Sequence, residues 1–139
     1  MIVKPDRNFE DIFINGDLTE DIRIGFNNQG YVDIRGNCSS TIVVGRNNQG
    51  FIRILGDLTG NLLLESNNIG QVEIVGSVTG RVEIGRNNTA GLYVENVAAD
   101  GVLSLGDNFT GQIRIPDGND GIVSYGRCLL YTSPSPRDS

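Results

Sequence analysis

Residues 31–50, YVDIRGNCSSTIVVGRNNQG, form a unit that the chain repeats. The unit returns as FIRILGDLTGNLLLESNNIG over residues 51–70 and as QVEIVGSVTGRVEIGRNNTA over residues 71–90. An earlier copy ends at Gly30, and looser copies run from Gly91 to Arg127. A period of about twenty residues, sustained along a chain, marks stacked structural units rather than a domain folded around one centre.

Within each copy the apolar residues come in alternating pairs. Ile12/Ile14, Val32/Ile34, Ile52/Ile54 and Val72/Ile74 make one series, and Ile22/Ile24, Ile42/Val44, Leu62/Leu64 and Val82/Ile84 make a second. Alternation of β-branched residues between Gly- and Asn-rich turns is a strand signal. The stretches are too short and too rich in Gly and Asn for helices. The expected fold is therefore all-β: a single parallel β-solenoid, expected to be right-handed, with about 20 residues and two short strands per coil. Coils laid about 4.8 Å apart pair each strand with its copy in the next coil, and five and a half of them span on the order of 26 Å. Asp33, Arg53 and Glu73 then become successive outward rungs with opposite charges side by side.

The two turns of a coil differ. In the first the central residue is Leu18, Cys38, Leu58 or Val78, which predicts an inward side chain. In the second the matching residue is Asn28, Asn48, Asn68 or Asn88, and after a one-residue insertion near Val97 it is Phe109. A Phe in this series implies an interior position. The Asn residues then form an inward ladder, each amide bonded to the coils above and below, because a buried amide without partners costs about 1–3 kcal/mol. The preceding Asn27, Asn47, Asn67, Asn87 and Asn108 suit left-handed corners, which Asn tolerates.

The domain plan is a lead-in over residues 1–8, solenoid repeats over 9–127, and a non-repeating tail over 128–139. The sixth copy begins with Ile113 and Ile115 and reaches Gly126-Arg127, where Asn-Asn should follow; the chain reads CLLYTSPSPRDS instead. That ending, with Cys128, Pro134 and Pro136, resembles the translated sequencing-adapter read-through found in some assembled environmental gene sets. On that reading the tail is an artefact and the biological chain continues beyond Arg127. A disordered Ser/Pro tail is the alternative.

Bulk properties narrow the partners. The 139-residue chain carries a formal charge of −6, which disfavours nucleic acid and anionic membrane. No apolar run is long enough for a spanning helix. Nothing in the sequence calls for a cofactor. Asp17, Asn37 and Asp57 stack at one turn, but lack the nonapeptide spacing of repeat calcium sites and read as turn chemistry. Thr19, Ser39, Thr59 and Thr79 sit singly in turns, unlike the paired Thr arrays of ice-binding solenoids. Glu73 and Glu83 fall on different strands of one coil; no carboxylate couple at catalytic spacing is visible and the chain has no His, so no catalysis is expected here. Val43 and Leu63 are adjacent outward aliphatics between Arg23 and Glu83, and form a candidate contact patch for a protein or carbohydrate surface. Cys38 reads as a small buried apolar residue. The Asn-x-Ser/Thr triplets at Asn37, Asn87 and Asn108 are expected by chance in so Asn- and Thr-rich a chain.

The pattern clearest over 52–64 and 72–85, with its GDLTG-like turn, resembles repeats of large bacterial surface and secreted β-helix proteins. That resemblance implies a structural or adhesive segment of a larger exported protein, extracellular or at the cell surface. The chain is more distantly similar to bactofilins, cytoplasmic solenoids that join end to end, although those are shorter-turned and lack a regular Asn-Asn. A third implied reading is a fragment of a carbohydrate-active β-helix enzyme whose catalytic loops lie elsewhere.

Overall fold

A computed structural model describes residues 1–89 and 91–125. Gly126, Arg127 and the tail over 128–139 lie outside the described residues. All thirteen described elements are strands: β1 (Ile2–Lys4), β2 (Ile12–Ile14), β3 (Ile22–Ile24), β4 (Val32–Ile34), β5 (Thr41–Val44), β6 (Ile52–Ile54), β7 (Asn61–Leu64), β8 (Val72–Val78), β9 (Arg81–Ile84), β10 (Leu92–Val97), β11 (Val102–Leu105), β12 (Ile113–Arg114) and β13 (Ile122–Tyr125). Odd-numbered strands make one seven-stranded sheet in the order β1-β3-β5-β7-β9-β11-β13; even-numbered strands make a six-stranded sheet in the order β2-β4-β6-β8-β10-β12. Every pairing is parallel. The chain winds as a parallel β-solenoid of two strands per coil.

Register explains why the repeat is strict. Ile12 faces Val32, Val32 faces Ile52, and Ile52 faces Val72 along the second sheet. Ile22, Ile42, Leu62 and Val82 do the same along the first. Leu18, Cys38, Leu58 and Val78 bridge one another at the turn between the sheets, and all four are buried. Burying each such aliphatic side chain stabilises the fold by about 1.5–3 kcal/mol relative to leaving it in water. A shift of one residue would turn every one of them outward.

Two details differ from the sequence reading. Residues 1–8, set apart as a lead-in, belong to the stack: β1 pairs with β3, and Asn8 is buried. The insertion near Val97 is two events. Leu92 pairs with Val72 and Val94 with Ile74, but Asn96 pairs with Ser77 and Val97 with Val78, so one residue is dropped in β10. Val102 then pairs with Arg81, which places two extra residues in the turn after Val97. The net change is the single residue seen in the sequence. Dropping one residue keeps Val97 under Val78 in the buried ladder, and the extra length is taken up by an outer turn.

The outward rungs keep their expected register, Asp33 beside Arg53 beside Glu73. The ion pairs divide differently: Arg53 reaches Glu73 at 3.6 Å, while Asp33 lies 3.8 Å from Arg35, just past the end of its own strand. Among the described residues no helix is long and apolar enough to cross a membrane.

Ile54 lies wholly buried between Ile34 and Ile74. An Asp there would place a carboxylate in the aliphatic ladder, a cost far above the stability of a small domain. Ile54→Asp is expected to give an unfolded chain at 25 °C by circular dichroism; a melt like that of the parent protein would disprove the inward assignment.

Candidate functional site

The polar ladder runs through five successive coils, from Asn8 to Asn88. The Nδ2 of Asn8 donates to Oδ1 of Asn28 at 2.8 Å, Asn28 to Asn48 at 2.8 Å, Asn48 to Asn68 at 2.8 Å, and Asn68 to Asn88 at 2.7 Å. The second Nδ2 hydrogen donates to the carbonyl two residues on: Glu10, Gly30, Gly50 and Gly70 in turn. A side chain at Gly50 would collide with the Gly30 carbonyl oxygen, so the turn following each ladder Asn must lie flat against its neighbour. Phe109 takes the next position and is buried, so the ladder passes from amide to aromatic ring.

The corner residues Asn27, Asn47, Asn67, Asn87 and Asn108 all adopt φ between 58° and 61°. Arg7 has the same conformation, φ 58°. Arg7-Asn8 is therefore another copy of the Asn-Asn corner. The period placed it twenty residues before Asn27-Asn28, but Arg in place of the first Asn hid it from pattern reading.

Asp17, Asn37 and Asp57 are turn groups, as the spacing suggested. Asp17 Oδ1 accepts the Asn37 N–H at 2.8 Å, Asn37 Oδ1 accepts the Asp57 N–H at 2.8 Å, and Asp57 Oδ1 accepts the Ser77 N–H at 2.9 Å. Asp6, Asp11 and Asp21 do the same for the N–H groups of Phe26, Tyr31 and Thr41. Sequence reasoning missed this second set, although a twenty-residue step from each carboxylate leads to its donor. Among the described residues no group of three His, Cys, Asp or Glu side chains gathers for a metal. Cys38 is buried with its Sγ 3.6 Å from the Ser40 carbonyl, and burial pushes its thiol pKa up, partly countered by the Ser40 contacts.

Away from the regular columns, two carboxylates, Glu95 and Asp117, come together. The Tyr93 hydroxyl donates to Glu95 Oε1 at 2.6 Å, and Asp117 in the next coil hydrogen-bonds Glu95. That hydrogen bond and the Glu95 charge raise the Asp117 pKa. The Arg114 guanidinium lies 6.0 Å from the Tyr93 ring centre. The irregular offset at β10 brings these groups together, so a fixed twenty-residue period could not reveal them.

Val43 and Leu63 pair across β5 and β7, with Arg23 and Glu83 on the rungs beyond them, as expected. Both are half-buried on the outer face. Val43 also lines a shallow depression with Asp6, Arg23, Phe26, Arg46 and Glu65, where Arg46 stacks 5.1 Å from the Phe26 ring centre. On the other face Tyr31 and Phe51 stack with ring centres 5.0 Å apart. Compared with known protein families, characterised proteins and solved structures, the chain finds no match in any of the three.

Two measurements follow from this geometry. Asn68→Leu leaves Asn48 Nδ2, Asn88 Oδ1 and the Gly70 carbonyl each short of a partner. Asn48 and Asn88 are two coils apart, about 9.6 Å, so they cannot re-pair. With three such groups at about 1–3 kcal/mol each, the loss should be about 3 kcal/mol or more in urea unfolding. Asn8→Leu, at the end of the ladder, should cost clearly less; equal losses would refute a stacking role for the amides.

The raised pKa of Asp117 means that this contact supports the fold below the unfolded carboxylate pKa and loses that support as pH rises through the folded value. Asp117→Asn should therefore raise the thermal midpoint at pH 7, with the gain shrinking below about pH 4. A gain that grows on acidification would contradict the pairing.

Proposed function

We propose that this chain is a structural, adhesive repeat segment of a larger exported or cell-surface bacterial protein. It works as a rigid rod that spaces or displays, and its outer faces meet a protein or carbohydrate surface. The observation that carries this reading is where the recurring polar side chains point. The Asn ladder, together with Asp6, Asp11, Asp17, Asp21, Asn37 and Asp57, bonds to the neighbouring coil, so these groups serve winding rather than a ligand. The GDLTG-like turns and their likeness to surface-protein repeats support the same reading.

Sequencing the source DNA across the codons for 126–128 tests it. The expected result is Asn-Asn after Arg127, followed by further coils. A genuine CLLYTSPSPRDS ending and stop codon would count against a long array and favour the filament reading.

One observation speaks for that second reading, a bactofilin-like filament. β1 and β2 are the edge strands at one end of the stack, and among the described residues Asn8 Oδ1 accepts only the Glu10 N–H, where internal rungs also take an amide from the previous coil. A further coil, from the same chain or another, would fit that end. Filaments of solenoid width in electron micrographs of purified protein would support it.

A further inference from the structure

The outer face of the first sheet carries charges in an order unlike that of the second. Both faces carry in-chain pairs: Arg53 with Glu73, Asp33 with Arg35, Arg35 over Phe13 and Arg114 over Tyr93 on the second sheet, and Arg81 with Glu83 on the first. On the first sheet the central outward column reads Arg23, Val43, Leu63, Glu83 over four successive coils. The outward column beside it reads Asp21, Thr41, Asn61, Arg81. Among the described residues Arg23 makes no ion pair, and its cross-strand neighbours are Val3 and Val43.

Both columns are antisymmetric in charge about the same line, the gap between β5 and β7. We propose that this face is a self-complementary surface on which two copies of the chain pack face to face, about a two-fold axis running along the strands between β5 and β7. The rotation reverses the order of coils on the facing copy, as an isologous contact requires. Arg23 then meets Glu83 of the second copy, and Asp21, whose Oδ1 accepts the Thr41 N–H of its own chain, meets its Arg81 through the other carboxylate oxygen. Val43 packs on Leu63, and Thr41 faces Asn61. One coil further out, exposed Met1 faces Val102. The Arg81–Glu83 pair, 3.3 Å apart within one chain, becomes half of a four-charge cluster with Asp21 and Arg23 of the second.

The geometry allows these contacts. The charged rungs lie 1.5 coils from the axis, about 7 Å, so the roughly 30° twist between aligned packed sheets moves them by less than the reach of Arg and Glu. Seven strands of up to four residues on this face present about 400 Å² per copy, below the roughly 600 Å² per partner of the smallest standard interfaces and in the range of transient contacts. The association is weak, set by charge pattern, and salt-sensitive. The inference does not depend on the adhesive-segment reading, since the same face would pair rods in any setting.

Sedimentation velocity of the 139-residue chain at up to about 1 mM, in about 20 mM and about 0.5 M salt, tests it. The expected result is a dimer that forms with rising concentration and weakens in salt. R23E and E83R should each weaken it about tenfold or more, since each puts two like-charge contacts into the dimer. The R23E/E83R double variant should return to within about threefold of the parent. R53E, on the second sheet, should leave the dimer unchanged. Circular dichroism checks that each variant is folded, and E83R carries the test if R23E is not. Four results would overturn the proposal: a monomer throughout, a double variant as weak as the singles, a loss with R53E equal to that with R23E, or growth beyond dimers indifferent to charge reversal, which would indicate end-to-end stacking.

Discussion

The hydrogen-bonding distance between parallel strands governs this molecule. Each residue must lie about 4.8 Å from its counterpart one coil away, so each residue type must be compatible with itself. Aliphatic residues meet that condition through contact, and Asn meets it through an amide that both donates and accepts along the stack. A Lys or a Glu in the same interior column would face its own charge. The repeat in the sequence is the record of this condition, and the buried columns obey it more closely than the outer ones.

Turns are where such a stack is under most demand, because backbone N–H groups leave the sheet ladders there. Two devices answer this. The ladder Asn ties its own turn through the carbonyl two residues on, and Asp or Asn at the outer turns accepts an N–H from the coil above. Left-handed corners at Asn27, Asn47, Asn67, Asn87 and Asn108 let the chain change direction between them. Side chains that would suggest cation binding in another setting are here occupied by the backbone.

The fifth coil shows what the fold preserves when the repeat falters. A residue lost in β10 and two gained in the following turn keep Val97 beneath Val78. The outward consequence is new local chemistry, the Tyr93, Glu95, Arg114 and Asp117 group, which regular coils do not have. Core register is preserved; surface arrangement varies.

The sequence by itself determined the architecture: strand positions, inward columns, the Asn ladder and its left-handed corners. All of these follow from a period of about twenty residues combined with alternation, which are local and repeated signals. It did not show that Arg7-Asn8 belongs to the ladder, because Arg broke the pattern at one position. Only the tertiary structure decided which partner each outward charge takes. Arg53 turns to Glu73 rather than Asp33, and Asp117 meets Glu95 across an irregular offset. Those choices depend on side-chain reach and on the exact register of one faulty coil, and neither repeats along the chain. The same holds for the outer face of the first sheet, where the opposed order of Arg23 to Glu83 and Asp21 to Arg81 acquires meaning only once the strands lie side by side.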